Sequence, residues 1–308
     1  MSRGDGATGA TAPGNARIPA VRIGRWEAVS AEGGGSVAVD ARRLAVASQG
    51  HLVVWLGGER LATAEAPWPA PGKPRLAGDR VLWGPGVLDI PSGRYAALAS
   101  ARPGTWPGGG ERPNVHAWSA LGDRLLVSYS TGDPARPTRI SLFDGRDGRV
   151  IATHWSASAR APEAAWAGRD VAVAGFGDLE VLDTASGAVR GRVALGAGTV
   201  TSLDADAAER RLVAVDLNQA VVWIDLQELR VADRWAGRWQ DAAVDPDGRL
   251  AVAVDLAGRL HFAAFGPDRF QPLGEADNVV APGSVALDRD VLAVAGGGVA
   301  ARAPFGVQ

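Results

Sequence analysis

The stretch Ala243-Val-Asp-Pro-Asp-Gly-Arg-Leu-Ala-Val-Ala-Val-Asp-Leu-Ala-Gly-Arg-Leu-His-Phe262 decides the fold. It reads as an apolar strand, an Asp/Gly turn, an apolar strand, a Gly turn and a third apolar strand. Turn formers stand only where a hairpin must reverse. The same grammar recurs along the chain, and its second strand is the easiest to recognise, beginning at Leu44, Val81, Leu125, Val171, Leu212, Leu250 and Val291. The successive gaps are 37, 44, 46, 41, 38 and 41 residues. That period suits a four-stranded propeller blade, and no stretch carries the 3.6-residue period of a helical repeat.

The marker strands, such as Leu44-Ala-Val-Ala47 and Leu250-Ala-Val-Ala-Val254, are apolar on both faces. A strand needs that when its sheet is stacked between two others, and small alanines let those sheets approach. Third strands often end in an acid, as in Ile140-Ser-Leu-Phe-Asp144, Leu179-Glu-Val-Leu-Asp183 and Val221-Val-Trp-Ile-Asp225. Fourth strands such as Leu229-Arg-Val-Ala-Asp-Arg-Trp235 are more polar, as the outer edge of a blade should be. The last unit supplies three strands, near 283–287, 291–295 and 299–303, and lacks an outer one. Val21-Arg-Ile-Gly-Arg-Trp-Glu-Ala-Val29 alternates like a strand and has no other partner. The expectation is an all-β, seven-bladed β-propeller of four-stranded antiparallel blades, spanning 18–308, with its ring closed by that N-terminal strand. Residues 1–17, mostly Gly, Ala, Ser and Thr, read as a disordered tail.

The repeats at 200–235 and 243–262 resemble the WD40-like and quinoprotein-like β-propeller superfamily in their Asp/Gly turns, short turns between second and third strands, and terminal aspartates. No Trp-Asp dipeptide occurs, and Ala185-Ser-Gly187 and Pro91-Ser-Gly93 are not followed by tryptophan, so the resemblance implies architecture without a cofactor.

Composition narrows the function classes. The chain of 308 residues is 46% hydrophobic and 21% charged with 41 glycines, so it can build one large core with many turns. Thirty-two basic and 34 acidic residues are interspersed for a net charge of −2, which gives no field for nucleic acid or an anionic membrane. No cysteine is present, which excludes disulfides, thiolate ligands and a thiol nucleophile. No apolar leader or membrane-length run is visible, and a cytoplasmic protein is the expectation. Lys73 is the only lysine among the basic residues, and with the abundant alanine and glycine it reads as the codon bias of a GC-rich bacterial genome.

Chemistry-bearing residues are sparse. His51, His116, His154 and His261 stand at no metal-ligand spacing, and no serine or threonine motif accompanies them. Asp204-x-Asp206 and Asp245-x-Asp247 could supply oxygen ligands, but each falls in a predicted turn where aspartate bonds its own backbone. Gly108-Gly-Gly110 has no helix behind it to cradle phosphate.

Eleven tryptophans against two tyrosines and six phenylalanines stand out. Trp55, Trp83 and Trp223 fall in predicted second or third strands and read as core, and Trp118, Trp166 and Trp239 fall in inner strands near the central channel. Trp68 and Trp106 sit in Pro/Gly-rich connectors between blades, with Arg102 and Arg112 near by. The insertion at 131–137, with Arg136, is predicted on the same face. Tryptophan beside arginine is the composition of a binding hot spot. The expectation is therefore a non-enzymatic scaffold, monomeric within a larger assembly, that binds another protein through Trp68, Trp106, Arg102, Arg112 and Arg136, with no cofactor. The alternative is a lyase or hydrolase working in the central channel with His116 or residues near Trp239 and Asp241.

Overall fold

The structure, a computed structural model, describes residues 21–30, 35–48, 50–65, 73–83, 86–97, 112–118, 124–130, 138–144, 150–156, 163–167, 170–174, 176–183, 186, 188–206, 210–216, 220–277, 280 and 283–307. The described residues are all-β, and every strand pairs antiparallel with its neighbours. Among them no helix is long and apolar enough to cross a membrane. The tail at 1–17, the connectors holding Trp68, Arg102 and Trp106, the insertion holding Arg136, and the 108–110 glycine run lie outside the described residues.

Sheets are named here by the residues they span. Ser36–Val39, Arg43–Ser48, His51–Leu56 and Glu59–Glu65 form the 36–65 sheet. Arg75–Ala77, Arg80–Trp83, Gly86–Asp89 and Arg94–Ala97 form the 75–97 sheet, and Arg112–Trp118, Arg124–Ser130, Thr138–Asp144 and Val150–Ser156 the 112–156 sheet. Trp239–Val244, Leu250–Asp255, Arg259–Phe265 and Phe270–Asp277 form the 239–277 sheet. Each of these is a simple meander of hairpins, as the alternation of apolar runs and turn residues dictates.

Between the 112–156 and 239–277 sheets one long strand, Val189–Ala205, serves two sheets. Its first half pairs with Phe176–Asp183, which follows Glu163–Ala167 and Asp170–Ala174. From Val200 it pairs with Arg211–Asp216, which leads to Ala220–Asp225 and Arg230–Ala236. The outer strand of the 163–195 sheet thus runs on as the inner strand of the 200–236 sheet, with Gly196 (φ 94°) in the passage.

The last sheet joins both ends of the described chain. Ser284–Asp288, Val291–Gly296 and Val299–Val307 form its first three strands. Val21–Ile23 then pairs with Val307 to Phe305, and Glu27–Ser30 with Arg302 to Val299. The expected strand over 21–29 is present, broken at Gly24, whose N–H donates to the Pro304 carbonyl at 2.8 Å.

Every marker position opens, or stands one residue inside, the second strand of its sheet, and these strands carry the core. Leu44, Ala45, Val81, Leu212, Ala214, Val252, Ala253, Leu292 and Ala293 are essentially inaccessible. Successive sheets pack face to face: 36–65 on 75–97 through Leu52, Val54, Trp83 and Ile90; 163–195 on 200–236 through Val193, Leu195, Leu212 and Leu226; 200–236 on 239–277 through Val213, Trp223 and Ala253; 239–277 on 284–307 through Val254, Phe262, Val294 and Phe305. The 284–307 sheet in turn packs on the 36–65 sheet through Ala293, Ala295, Val37 and Leu44. Arg112–Trp118 lies beside both Arg80–Trp83 and Glu163–Ala167.

Terminal aspartates close the turns. Asp183 Oδ1 accepts the Ser186 N–H (2.7 Å) and hydroxyl (2.8 Å), Asp89 Oδ1 does the same for Ser92, and Asp225 Oδ1 accepts the Gln227 and Glu228 N–H groups. Asp40, Asp206 and Asp245 each accept two backbone N–H groups in the turn between first and second strands, as expected for Asp245 and Asp206. Asp204 departs from the expectation. It lies within the strand, two residues before the turn, and reaches a neighbouring sheet.

Candidate functional site

The first strand of a sheet leaves one edge without a strand partner, and the N–H groups along it need acceptors. Side chains of the preceding inner strand supply them. Asp204 Oδ2 accepts the Val244 N–H at 3.0 Å, Asp241 Oδ2 accepts the Val285 N–H at 2.8 Å, and Ser284 Oγ accepts the Val37 N–H at 3.3 Å. Each link ties one inner strand to the next sheet's inner strand.

Two cations from the start of the 75–97 sheet reach these inner strands in sheets far along the chain. Lys73 Nζ lies 2.6 Å from Asp241 Oδ1 and donates to the Ala242 and Val285 carbonyls at 3.2 Å each. Arg75 donates to Asp204 Oδ1 and to the Leu203 carbonyl, both at 2.8 Å. The Lys73 and Asp241 side chains are only 15% and 5% exposed. An ammonium has three N–H bonds, and here each has an acceptor, so no lone pair is left for nucleophilic or Schiff-base chemistry. Asp241 is equally committed, since its Oδ1 also accepts the Ala242 N–H. These inner strands are therefore braced by charge pairs, in which every N–H of Lys73 has an acceptor.

The only lysine is thus a structural cation that ties its own sheet to the 239–277 and 284–307 sheets, and reading it as compositional bias missed it. A residue type used once, in a chain that otherwise takes arginine for every basic position, was the available signal. Lysine suits the position because a compact ammonium can serve three acceptors in three directions, which a planar guanidinium cannot.

The described residues also hold an aromatic rim at the end of the sheets that carries the turns between second and third strands. Trp235 ends the outer strand of the 200–236 sheet and Trp239 opens the inner strand of the 239–277 sheet. Their rings are 4.8 Å apart, and Trp239 Nε1 donates to the Trp235 carbonyl at 2.9 Å. Gly237 between them has no side chain for a reason: a Cβ there would come within 2.7 Å of the Trp239 ring. The Leu256 N–H donates to the Arg238 carbonyl at 3.0 Å, which fastens the 255–258 turn to this connector.

His261 stands edge-on to both indoles, with centroids 5.0 Å from Trp239 and 6.2 Å from Trp235. Its Nε2 is 2.9 Å from Asp255 Oδ2 and its Nδ1 3.2 Å from Glu275 Oε1. Glu275 is also paired with Arg259 at 3.4 Å. Burial pushes the Asp255 carboxyl up, but hydrogen bonds from His261, Arg259 N–H and Ala257 N–H together hold it below the usual aspartate value. With both ring nitrogens engaged, His261 serves to fix the rim. Leu256, 52% exposed, and the exposed Arg238 complete the patch.

Of the expected partner-binding residues, only Arg112 falls in a described element. It opens the strand Arg112–Trp118, paired with Ser130. His116 and His154 lie in the first and fourth strands of the 112–156 sheet, on its opposite edges. Trp55, Trp83 and Trp223 pack in sheet-to-sheet clusters. Trp239 opens an inner strand but turns to the rim. Among the described residues no group of three or more His, Asp or Glu is arranged to hold a metal ion. No protein-family profile matches the chain, and no curated protein matches it as a relative.

Proposed function

We propose that the sheets close into a seven-bladed β-propeller ring, and that the ring is a non-enzymatic scaffold binding another protein through its connector-bearing face. Closure is supported by two observations. The 284–307 sheet packs on the 36–65 sheet and is completed by 21–30. Lys73 and Arg75 also reach inner strands of sheets that are not neighbours of their own, as side chains do across the centre of a ring.

The observation that carries the scaffold reading is the rim of Trp235, Trp239, Leu256 and Arg238. Aromatic and arginine side chains held by hydrogen bonds at a surface are the usual anchors of protein interfaces. Trp68, Trp106, Arg102 and Arg136 belong to connectors and a turn that emerge on this same face in the proposed ring. In the proposed ring Lys73 and Asp241 lie where a propeller lyase or hydrolase would work, and their mutual pairing and bonds to neighbouring backbone favour a bracing role for them.

The test compares proteins recovered with tagged wild-type chain and with a Trp68→Ala, Trp106→Ala, Leu256→Asp variant after cross-linking in the native host. A partner retained by the wild type should be lost from the variant while the melting temperature moves by no more than about 2 °C, as surface substitutions do. Recovery of the same partner by both would overturn the assignment of this face.

A further inference from the structure

A half-open cavity of about 260 Å³ lies where the N-terminal strand completes the 284–307 sheet, lined by Glu27, Ala28, Val29, Leu44, Trp55, Gly57, Gly58 and Arg302. We propose that this cavity is a second docking point, and that it takes one branched aliphatic side chain of a partner polypeptide. It lies at the end of the sheets opposite the aromatic rim, because turns on the two sides of one strand fall at opposite ends. The proposal does not rest on the connector-face reading.

The argument comes from equivalent positions in other sheets. Asp89 pairs with Arg94 and Asp225 with Arg230 at the close of the third-to-fourth-strand hairpins, and the residue after each aspartate is a buried aliphatic: Ile90 and Leu226. Ile90 packs against Ala62 and Ala64 in the outer strand of the preceding sheet, and Leu226 against Val193 and Leu195 in the same place. Leu229 adds to the second plug by lying over Gly191, so closely that a Cβ there would collide with it.

In the 36–65 sheet the corresponding hairpin closes at Leu56 with Glu59, and its turn is Gly57-Gly58. The outer strand facing it is Glu27–Ser30. Both glycines have positive φ, and a Cβ built on either would meet no atom within 4 Å. The slot that Ile90 and Leu226 fill in their sheets is therefore left without its side chain at this junction. Trp55 and Leu44 form an apolar floor under it.

The occupant is identified by what the walls offer. A volume of about 260 Å³ falls short of a typical small-molecule cleft of roughly 300–1,000 Å³, and it exceeds one aliphatic side chain by enough to admit the stretch of backbone that carries it. The two internal plugs show that this shape receives isoleucine or leucine. At the mouth, Arg302 Nε is 3.0 Å from Glu27 Oε2, a polar border suited to the backbone of an incoming segment. Among the described residues Glu27–Ser30 pairs on one side only, so its other edge can hydrogen-bond an extended peptide. Leu56, beside the turn, remains 40% exposed and extends the apolar surface.

The probe is N-acetyl-leucinamide, titrated into the full ¹⁵N-labelled chain. It should shift the Gly57 and Gly58 amide resonances and the Trp55 indole N–H saturably, while N-acetyl-glycinamide leaves them in place. Val29→Phe, on the face of Glu27–Ser30 that packs toward Leu44 and Trp55, should weaken that response at least tenfold with the rest of the spectrum unchanged. If that variant does not fold, the smaller Val29→Met fills part of the same space. The proposal is overturned if leucinamide leaves these resonances unmoved, if glycinamide moves them equally, or if a folded, filled variant responds as the wild type does. Saturation by benzene but not by leucinamide would also overturn it, by assigning the cavity to a free ring compound.

Discussion

Asp206 gives Oδ1 to the Arg210 and Arg211 N–H groups and leaves Oδ2 buried without a hydrogen-bond partner against Gly248 of the next sheet's turn. Burial pushes its carboxyl above the usual aspartate value despite the two N–H bonds and nearby arginines. A folded-state pKa above the unfolded one means the folded state holds more protons in between, so stability falls as pH rises from about 4 through the raised value. Asp206→Asn keeps the Oδ1 acceptor and removes the buried charge. Urea denaturation at several pH values should show that decline flattened, with stability at pH 7 equal to or above the wild type. Gly248 is the other half of the contact: its φ is 66° and an added Cβ would fall on the Asp206 carboxylate. Gly248→Ala should cost roughly 2–3 kcal/mol in the same experiment. The turn role of Asp206 and Asp245 was legible in the sequence because it is local, bonding within five residues. The role of Asp204 was not, because its partner Arg75 lies 129 residues away and only the assembled sheets bring them together.

Strands and turns were the most legible elements, since a period of two and a turn residue at each reversal are written into adjacent positions. The marker strands and the strand at 21–29 follow from that pattern. What the pattern hides is the joint between sheets: nothing between Val189 and Ala205 separates an outer from an inner strand, and a single chain segment serves both. The N-terminal element carries a prediction of its own. Val21, Ile23 and Trp26 pack on the cluster shared by the 239–277 and 284–307 sheets, and Val29 on the cluster shared with the 36–65 sheet. A chain beginning at residue 31 would lose those contacts and expose the full edge of Val299–Val307. An unpaired edge of that length invites association with other chains. Size-exclusion chromatography of the truncated chain should show aggregates, and its urea transition should lose cooperativity, with added peptide 18–30 partly restoring both.

At the scale of the molecule, the run of antiparallel four-stranded sheets was legible in the spacing of the marker strands, but what holds their inner edges together was not. Lys73 precedes its own sheet by two residues and ends on Asp241, Ala242 and Val285, in two sheets far along the chain. Removing one partner of a buried pair leaves the other charge without compensation, at a cost of about 3–5 kcal/mol, whereas replacing both is often nearly neutral. Lys73→Met should therefore destabilise by about that amount in urea, and Lys73→Met combined with Asp241→Asn should recover much of it. If the brace is instead a surface pair, the single variant will cost less than about 1 kcal/mol. Because the chain has one lysine, the same question has a chemical readout. An amine-acetylating reagent applied to the native protein should leave Lys73 unmodified, since its ammonium is buried and saturated with acceptors, and should modify it fully in urea. Mass spectrometry along a urea series then follows the parting of the sheets that Lys73 joins. Protection of Lys73 should vanish at the same midpoint as the loss of strand signal, because the cation can leave Asp241 only when the sheets it joins come apart.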